Sequence, residues 1–243
     1  MARQADPAGR NFEQFWPLLP LGARAAFEEQ WGGLAAGGLP CGSSVIDATG
    51  SLVARGRNHV YDAVGEIQTR ARYALQHNRL AHAEFNALAG VATDADHQAL
   101  TLWTTQHPCS MCAAALAFIG IGRVCYVADD PSDFSSADEL AARRGKVAYS
   151  SLGDALGWTI SNLLFLYNSA VRQGESARNL KLNSDRYPEL VALTLELAKS
   201  DRLGQSARSG TPLPDALEPY RSALEALARH APPAGSQSGQ QRP

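Results

Sequence analysis

The sequence predicts an α/β fold in which helices cover a sheet. Three observations lead to this prediction. Residues 41–58 read as two short strands joined by a turn, and residues 99–128 read as strand, helix and strand with short connections. Beyond residue 150 the apolar residues have helical spacing. A strand–helix–strand succession is typical of a sheet with helices packed on its faces.

The individual elements follow from apolar spacing and from turn signals. We expect the turn of the hairpin around Ala48, Thr49 and Gly50, because glycine favours tight turns. A short helix is predicted around 68–75. The other predicted helices cover residues 15–34, 81–91, 109–119, 159–171, 187–199 and 214–230, and the further strands cover 99–105 and 123–128.

Composition narrows the class of protein. The chain has 243 residues, of which 45% are hydrophobic and 19% charged, values that exclude a disordered or collagen-like chain. The 22 Lys and Arg residues are balanced by 24 Asp and Glu residues, so the net charge of −2 offers no general attraction for a polyanion. Four cysteines are too few for a disulfide scaffold in a chain of this length.

No segment reads as a membrane span or an export signal. The uncharged run from His97 to Gly122 is interrupted by polar residues, and its apolar half is too short to cross a bilayer. The N-terminal residues lack a continuous apolar core. We therefore expect a cytoplasmic, reducing location in which cysteines remain thiols.

Two short motifs carry the chemistry. His82 opens one predicted helix, and Cys109 and Cys112 lie at the start of another, after Pro108. Cysteines three residues apart share one helix face, and the helix N-terminus favours their thiolate forms. With the histidine they make three ligands of the kind that zinc takes in catalytic sites, which keep a fourth position for water.

Glu84 lies two residues after His82, so its side chain has a different direction on the helix. Water at a zinc site loses a proton readily, and a carboxylate beside it can accept that proton. The carboxylate can then deliver it to a ring nitrogen and later to a departing amine. This division of labour suits the hydrolytic removal of an exocyclic amino group.

Each motif alone has a simpler interpretation. An isolated Cys-x-x-Cys is equally a redox pair, half of a structural zinc site or a chance spacing. A redox pair leaves His82 and Glu84 unexplained, and a structural zinc site normally has a fourth Cys or His ligand. Cys41 and Cys125 stand alone on apolar strands and are expected to be core residues rather than ligands.

The combined pattern, His-x-Glu followed by Pro-Cys-x-x-Cys, resembles the signature of zinc-dependent nucleobase deaminases. The similarity extends over residues 42–58, 81–88 and 121–124, which resemble the guanine deaminase and tRNA adenosine deaminase branch of the cytidine deaminase-like superfamily. It implies a three-layer α/β/α fold with a mixed central sheet of about five strands, and frequently a dimer.

The resemblance also assigns roles to individual residues. It implies that His82, Cys109 and Cys112 bind Zn²⁺ and that Glu84 is the catalytic proton shuttle. Asn58 matches the asparagine that hydrogen-bonds the substrate base, and the backbone of Ala83 is expected to line the same pocket. The alternative interpretation of Asn58 is a purely structural one, in which it is a turn residue beside a strand.

Three departures separate this chain from that branch. His107 occupies a position that is usually Glu, and we expect it either to tune substrate binding or to be a partly exposed bystander. Residues 59–81 make a longer insertion than is usual in tRNA-type enzymes. The third departure is a helical extension, which has no counterpart in the minimal fold of that branch. We therefore expect a deaminase domain over 15–172, where the resemblance lies, a helical C-terminal extension over 173–230 and a disordered tail over 231–243.

These features favour an enzyme that removes an amino group, as ammonia, from a small nucleobase, nucleoside or related heterocycle, with a guanine-type purine first. The expected assembly is a homodimer, and nucleic acid is a less favoured partner. The alternatives are a tRNA adenosine deaminase and an inactive, zinc-stabilised interaction module.

Overall fold

The structure is a computed structural model that describes residues 11–62, 75–132, 142 and 145–232. Five strands form one mixed sheet with the order β2-β1-β3-β4-β5. β1 is antiparallel to β2 and β3, whereas β4 is parallel to β3 and β5. The strands are β1 Gly42–Ile46, β2 Leu52–Arg57, β3 Thr101–Gln106, β4 Arg123–Ala128 and β5 Ala148–Ser151.

Helices lie on both faces of the sheet. In the described part of the chain they are α1 Phe12–Leu18, α2 Leu21–Ala35, α3 Ala83–Leu88, α4 Ser110–Ile119, α5 Ala155–Gln173, α6 Arg178–Ser184, α7 Pro188–Ser200, α8 Arg202–Arg208, α9 Leu213–Leu217 and α10 Arg221–Ala228. The predicted three-layer arrangement with about five strands is confirmed. Within the described ranges, no helix is both long and apolar enough to cross a bilayer.

The hairpin between β1 and β2 turns where the sequence predicts. The Asp47 carboxylate accepts hydrogen bonds from the backbone N–H groups of Thr49 and Ser51, at 2.8 and 2.9 Å. Gly50 has a φ of +84°, which glycine adopts without a steric penalty. Local turn chemistry is therefore sufficient to fix this connection.

The long helix α5 is buried along most of its length. Every residue from Leu156 to Ala170 is buried, which is typical of a helix enclosed on all sides. α1, α2 and the C-terminal helices share one hydrophobic cluster with it. Tyr167 connects these parts, because its hydroxyl donates to Asp201 at 2.8 Å and accepts from the Gly204 N–H at 3.2 Å.

The division of the chain at residue 172 stays a prediction, although that position lies near the end of α5. The C-terminal helices pack on the same cluster as the helices of the deaminase-like part. The predicted helix around 68–75 and most of the predicted tail fall outside the described residues.

Two predicted helices are interrupted at prolines. The helix expected over 15–34 is two helices, because Leu19 before Pro20 is extended, as residues before proline usually are. The helix expected over 214–230 is broken by a 3-10 turn that contains Pro219. The sequence prediction missed β5, which is short and alternates between exposed and half-buried residues.

Candidate metal centre and active site

The site lies at one edge of the sheet. β2 and β3 both run antiparallel to β1, so they end at the edge where β1 begins, and the parallel β4 ends there as well. This edge therefore collects polar residues from four strands. They are Cys41 before β1, Asn58 after β2, His107 after β3 and Asp129 after β4.

His82, Cys109 and Cys112 meet above this edge. His82 is the N-cap of α3 and Cys109 is the N-cap of α4, whereas Cys112 lies in the first turn of α4. The Nδ1 atom of His82 is 3.7 Å from the sulfur of Cys109 and 3.6 Å from that of Cys112. The three ligand atoms all lie within 4.8 Å of one another.

These separations fit a tetrahedral zinc site. Zinc–nitrogen and zinc–sulfur bonds of about 2.0 and 2.3 Å at a tetrahedral angle place the two ligand atoms ~3.6 Å apart. One neutral imidazole and two thiolates are a donor set that zinc prefers. The three residues present therefore fit the metal and leave a fourth ligand position for water or substrate.

Without a metal, Cys109 and Cys112 together favour one negative charge, because a hydrogen bond between them stabilises one thiolate and keeps the other thiol protonated. Hydrogen bonds, first from Cys112 and then from His82, outweigh the effect of burial and lower the pKa of Cys109 to about 4. The same hydrogen bond raises the pKa of Cys112 well above its ordinary range. A bound dication is what favours the second thiolate, because coordination deprotonates a thiol.

Glu84 is the second residue of α3 and only 7% exposed. Burial raises its pKa, and the nearby Cys109 raises it further. A carboxyl whose pKa is shifted toward neutrality can both accept and donate a proton, which is what a proton shuttle requires.

The position of α3 depends on close backbone packing against β2. A Cβ atom on Gly56 would lie 2.2 Å from the Ala87 nitrogen and 2.5 Å from the Ala83 oxygen, so only glycine allows this approach. Asn86 adds a hydrogen bond from its side-chain amide to the Arg57 carbonyl at 3.0 Å. The same helix carries His82 and Glu84, so this contact sets their height above the sheet edge.

Asn58 is buried, with 2% of its surface exposed, directly after β2. Its Oδ1 atom accepts a hydrogen bond from the Val60 N–H at 3.0 Å, and its backbone N–H donates to the Cys41 carbonyl at 2.9 Å. No described residue accepts a hydrogen bond from its Nδ2. The side chain is thus held in one orientation.

His107 is 5% exposed, so the expectation of a partly exposed residue is wrong. Its ring packs edge-on against Tyr126, with centroids 4.8 Å apart, and stacks with Tyr149 at 5.5 Å. Ala83, expected to line the pocket through its backbone, is fully buried at the start of α3.

Sequence reasoning missed two neighbours of the site. The pKa of the Cys41 thiol is raised by burial and then by the negative charges of Glu84, Asp130 and Cys109, which places the half-buried Cys41 beside the acidic groups. A hydrogen bond with Cys109 raises the pKa of His82 against the effect of burial, and the charges of Glu84 and Asp130 raise it further. The nearness of Cys41 to the site follows only from the antiparallel pairing of β1. Asp130 lies in an acidic turn after β4 that could be recognised in the sequence.

The sheet order and the helices on both faces define a cytidine deaminase-like fold, and the His/Cys/Cys group at two helix N-termini could hold zinc. Residues 22–128 match the family model of the cytidine and deoxycytidylate deaminase zinc-binding region. The resemblance to the cytidine deaminase-like superfamily and the prediction of zinc are therefore confirmed for this part of the chain.

The chain is also partly similar to individual known proteins. The chain is 30% identical over 105 residues to a curated cytosine deaminase of Candida albicans, an alignment that covers 42% of this chain and 61% of that protein. Solved structures include NE0047 bound to 2,6-diaminopurine, at 21% identity and TM-score 0.45, covering 68% of this chain and 82% of the other. A tRNA:A34 deaminase has 24% identity and TM-score 0.41, covering 52% and 93%.

Proposed function

We propose that this protein is a zinc-dependent hydrolytic deaminase that acts on a small aminated heterocycle and releases ammonia. One observation carries the proposal: the buried Glu84 lies on the same short helix as His82, beside the two thiols of α4. An inactive, zinc-stabilised module has no need of a buried carboxyl at this position, because burial of an acid is costly.

Each residue has a separate task in this reaction. His82, Cys109 and Cys112 hold the metal, which when bound makes water acidic enough to be a nucleophile near neutral pH. The Glu84 carboxylate accepts the proton of the attacking water and delivers it to the ring nitrogen next to the amino-bearing carbon. Glu84 then passes the second proton of that water to the amino group, which leaves as ammonia while the carbon keeps the oxygen.

Asn58 would recognise the ring. Because the Val60 N–H occupies its Oδ1 atom, the amide offers its Nδ2 donor to a ligand. The matching atom on the substrate is an acceptor, such as a ring nitrogen or a carbonyl oxygen. We propose Asn58, the Ala83 backbone and His107, whose ring packs edge-on against Tyr126, as the substrate-binding set.

The proposed substrate is a free base or nucleoside. A guanine-type purine is the favoured candidate, and cytosine is the second one to test. The chain is similar to a curated cytosine deaminase, and its net charge of −2 gives no general attraction for RNA. The chain spans 61% of the length of that relative.

The test is ammonia release by the zinc-loaded protein from guanine, adenine, cytosine and their nucleosides. Glu84→Gln is the matched variant, since it keeps the shape of the side chain but cannot carry the proton. We expect it to retain zinc and to lose activity by ~10²- to 10⁴-fold. Absence of zinc, or equal turnover by Glu84→Gln, contradicts the proposal. Inosine formation in tRNA without release from small molecules would favour the tRNA alternative.

We also propose a homodimer in which α4 packs against a second copy. α4 carries no charged residue, and Phe118 on its outer side is 93% exposed. Phe118→Glu should convert a dimer to a monomer in light scattering, whereas Val171→Glu on α5 should not. A monomeric wild type contradicts this.

We propose a cytoplasmic location, because the reducing conditions there keep cysteines as thiols that can bind the metal. Thiol labelling of protein taken directly from cells tests this location.

A further inference from the structure

A buried ionic cluster lies directly after β2, next to Asn58. The Arg57 guanidinium binds both oxygens of Asp62, at 2.8 and 2.9 Å, and the His59 ring makes a short hydrogen bond to the same carboxylate. His59 and Asp62 are almost completely buried, and Arg57 is mostly buried. Two parallel N–H···O bonds to one carboxylate fix both direction and distance.

The cluster is held as an ion pair. Burial alone raises the pKa of Asp62, but the hydrogen bonds from Arg57 and His59 outweigh it and lower the pKa below its ordinary value. Removal of such partners strongly destabilises the folded protein, because the charge of the buried carboxylate is then uncompensated. Asp62 is thus expected to stay charged and bound to Arg57 at neutral pH.

The cluster controls the backbone on both sides of Asn58. Arg57, which precedes Asn58, also donates to the Asn58 carbonyl at 3.3 Å. His59 and Val60 follow Asn58, and the Val60 N–H is the group that fixes the Asn58 side chain. A substitution of Asp62 should therefore alter the position of the Asn58 side chain through Arg57 and His59, which flank it in the chain.

The same cluster joins this strand end to the helix with the zinc ligand. The His59 N–H donates to the Ala81 carbonyl at 2.9 Å, and the His77 N–H donates to the His59 carbonyl at 3.0 Å. Ala81 precedes His82. The backbone around His59 thus connects Asn58 to His82 by a short and specific path.

We propose that Asp62 is a positioning residue that, through Arg57 and His59, holds the Asn58 amide in the orientation that binds the heterocycle. The inference rests on the proposed deaminase function. It assigns to a residue of the 59–81 insertion a role in substrate recognition that the zinc motifs do not indicate.

The test compares Asp62→Asn, Asn58→Ala and the double variant in steady-state kinetics. Asp62→Asn presents an NH₂ group to donors, so Asn58 should lose its orientation. We expect KM to rise ~10-fold in each single variant, the effect of one lost hydrogen bond, with kcat within about twofold. The double variant should show the same KM as Asn58→Ala, because both changes remove one interaction.

Two further variants separate positioning from general stability. Asp47→Asn removes an exposed turn carboxylate far along the hairpin and should leave KM unchanged. Arg57→Lys keeps the charge but loses the paired geometry, so it should raise KM by a smaller factor than Asp62→Asn. Additive KM effects of Asp62→Asn and Asn58→Ala, or an unchanged KM in Asp62→Asn, overturn the proposal.

A second readout does not depend on turnover. Asp62→Asn should keep its zinc content but increase hydrogen–deuterium exchange at the amides of Val60 and His77. Unchanged exchange there overturns the positioning role. If the wild type acts on no heterocycle while the exchange still increases, the proposed function fails and the structural coupling to Asn58 stands.

Discussion

The two faces of the sheet are packed by different means. On the face that carries α3 and α4, the fully buried members of the described cluster have aliphatic side chains, and the half-buried Tyr149 packs against them. On the face that carries α1, α2 and α5, large rings such as Phe15, Phe27 and Tyr167 dominate the cluster, and Phe15 and Phe27 meet edge-on at 5.9 Å. The candidate metal ligands lie at the N-termini of α3 and α4, on the first face.

The difference indicates that one face mainly positions the chemical groups of the site, whereas the other mainly stabilises the fold. On the site face, backbone approaches such as that of Gly56 to α3 set the position of the chemical groups. On the other face, large side chains fill the space between the sheet and the C-terminal helices, and their burial stabilises the fold. Substitutions should therefore affect activity and stability unequally on the two faces.

The largest expected effect is the loss of a metal ligand on the site face. Cys112→Ser should lose zinc and reduce activity by ~10³-fold or more, because several kcal/mol of charge stabilisation disappear. The near-UV circular dichroism should persist, since Trp16, Trp31 and Trp158 belong to the other face. Zinc content, ammonia release and the spectrum measure these outcomes.

Cys125→Ser is the matched control for that experiment. Cys125 is buried in β4, where its sulfur lies 3.2 Å from the Ser150 hydroxyl, and it is not part of the metal group. It should retain zinc and activity. Retention of zinc by Cys112→Ser would show that the ligand assignment is wrong.

The next largest effect is a cavity on the aromatic face. Leu164 is fully buried in α5, so Leu164→Ala should lower the free energy of unfolding by about 2–5 kcal/mol while KM remains unchanged. Urea unfolding and kinetics on the same samples test this. Val171→Ala, at a 45% exposed position of the same helix, should change stability by less than ~0.5 kcal/mol. A KM change in Leu164→Ala would mean that the two faces are coupled.

A smaller loss of stability, with a larger effect on activity, is expected at Gly56. Gly56→Ala should cost about 1–3 kcal/mol of stability, because α3 must move away from β2. The shift displaces His82 and Glu84, so kcat should fall as well. Gly32→Ala, where the new Cβ would lie 3.9 Å from the Arg57 side chain, is the control and should be nearly neutral. Equal activity in the two variants would contradict the close-approach argument.

The smallest expected effect is the pH dependence at Asp62. Its folded-state pKa is lowered, so its contribution to stability is present above the unfolded pKa and is lost as the pH falls through the folded pKa. The difference in unfolding free energy between the wild type and Asp62→Asn should therefore be constant near neutral pH and shrink as the pH falls below about 4, the ordinary pKa of an aspartate. Urea titrations across this range measure it, and a constant difference contradicts an ion pair.

Much of the site was accessible from local sequence. The grouping of His82, Cys109 and Cys112 could be predicted because each motif lies at a helix N-terminus, where spacing alone sets which side chains share a turn. The hairpin turn was accessible for the same reason. Helix breaks at Pro20 and Pro219 were less visible, because apolar spacing continues across both prolines.

Other features depended on contacts between distant segments. β5 has no strong strand signal of its own and exists by pairing with β4. Cys41 joins the site only because β1 begins where β2 ends. The burial of His107 between Tyr126 and Tyr149 requires three adjacent strands.

The sequence by itself determined the fold class and the His82, Cys109 and Cys112 group that could hold a metal, and it singled out Glu84 as the proposed proton carrier, because these depend on short spacings and on the chemistry of the residue types. Only the tertiary structure decided which side chains surround that centre and how the Arg57–Asp62–His59 cluster is tied to it. The physical reason is that burial and antiparallel pairing bring together residues whose separation along the chain carries no periodic signal.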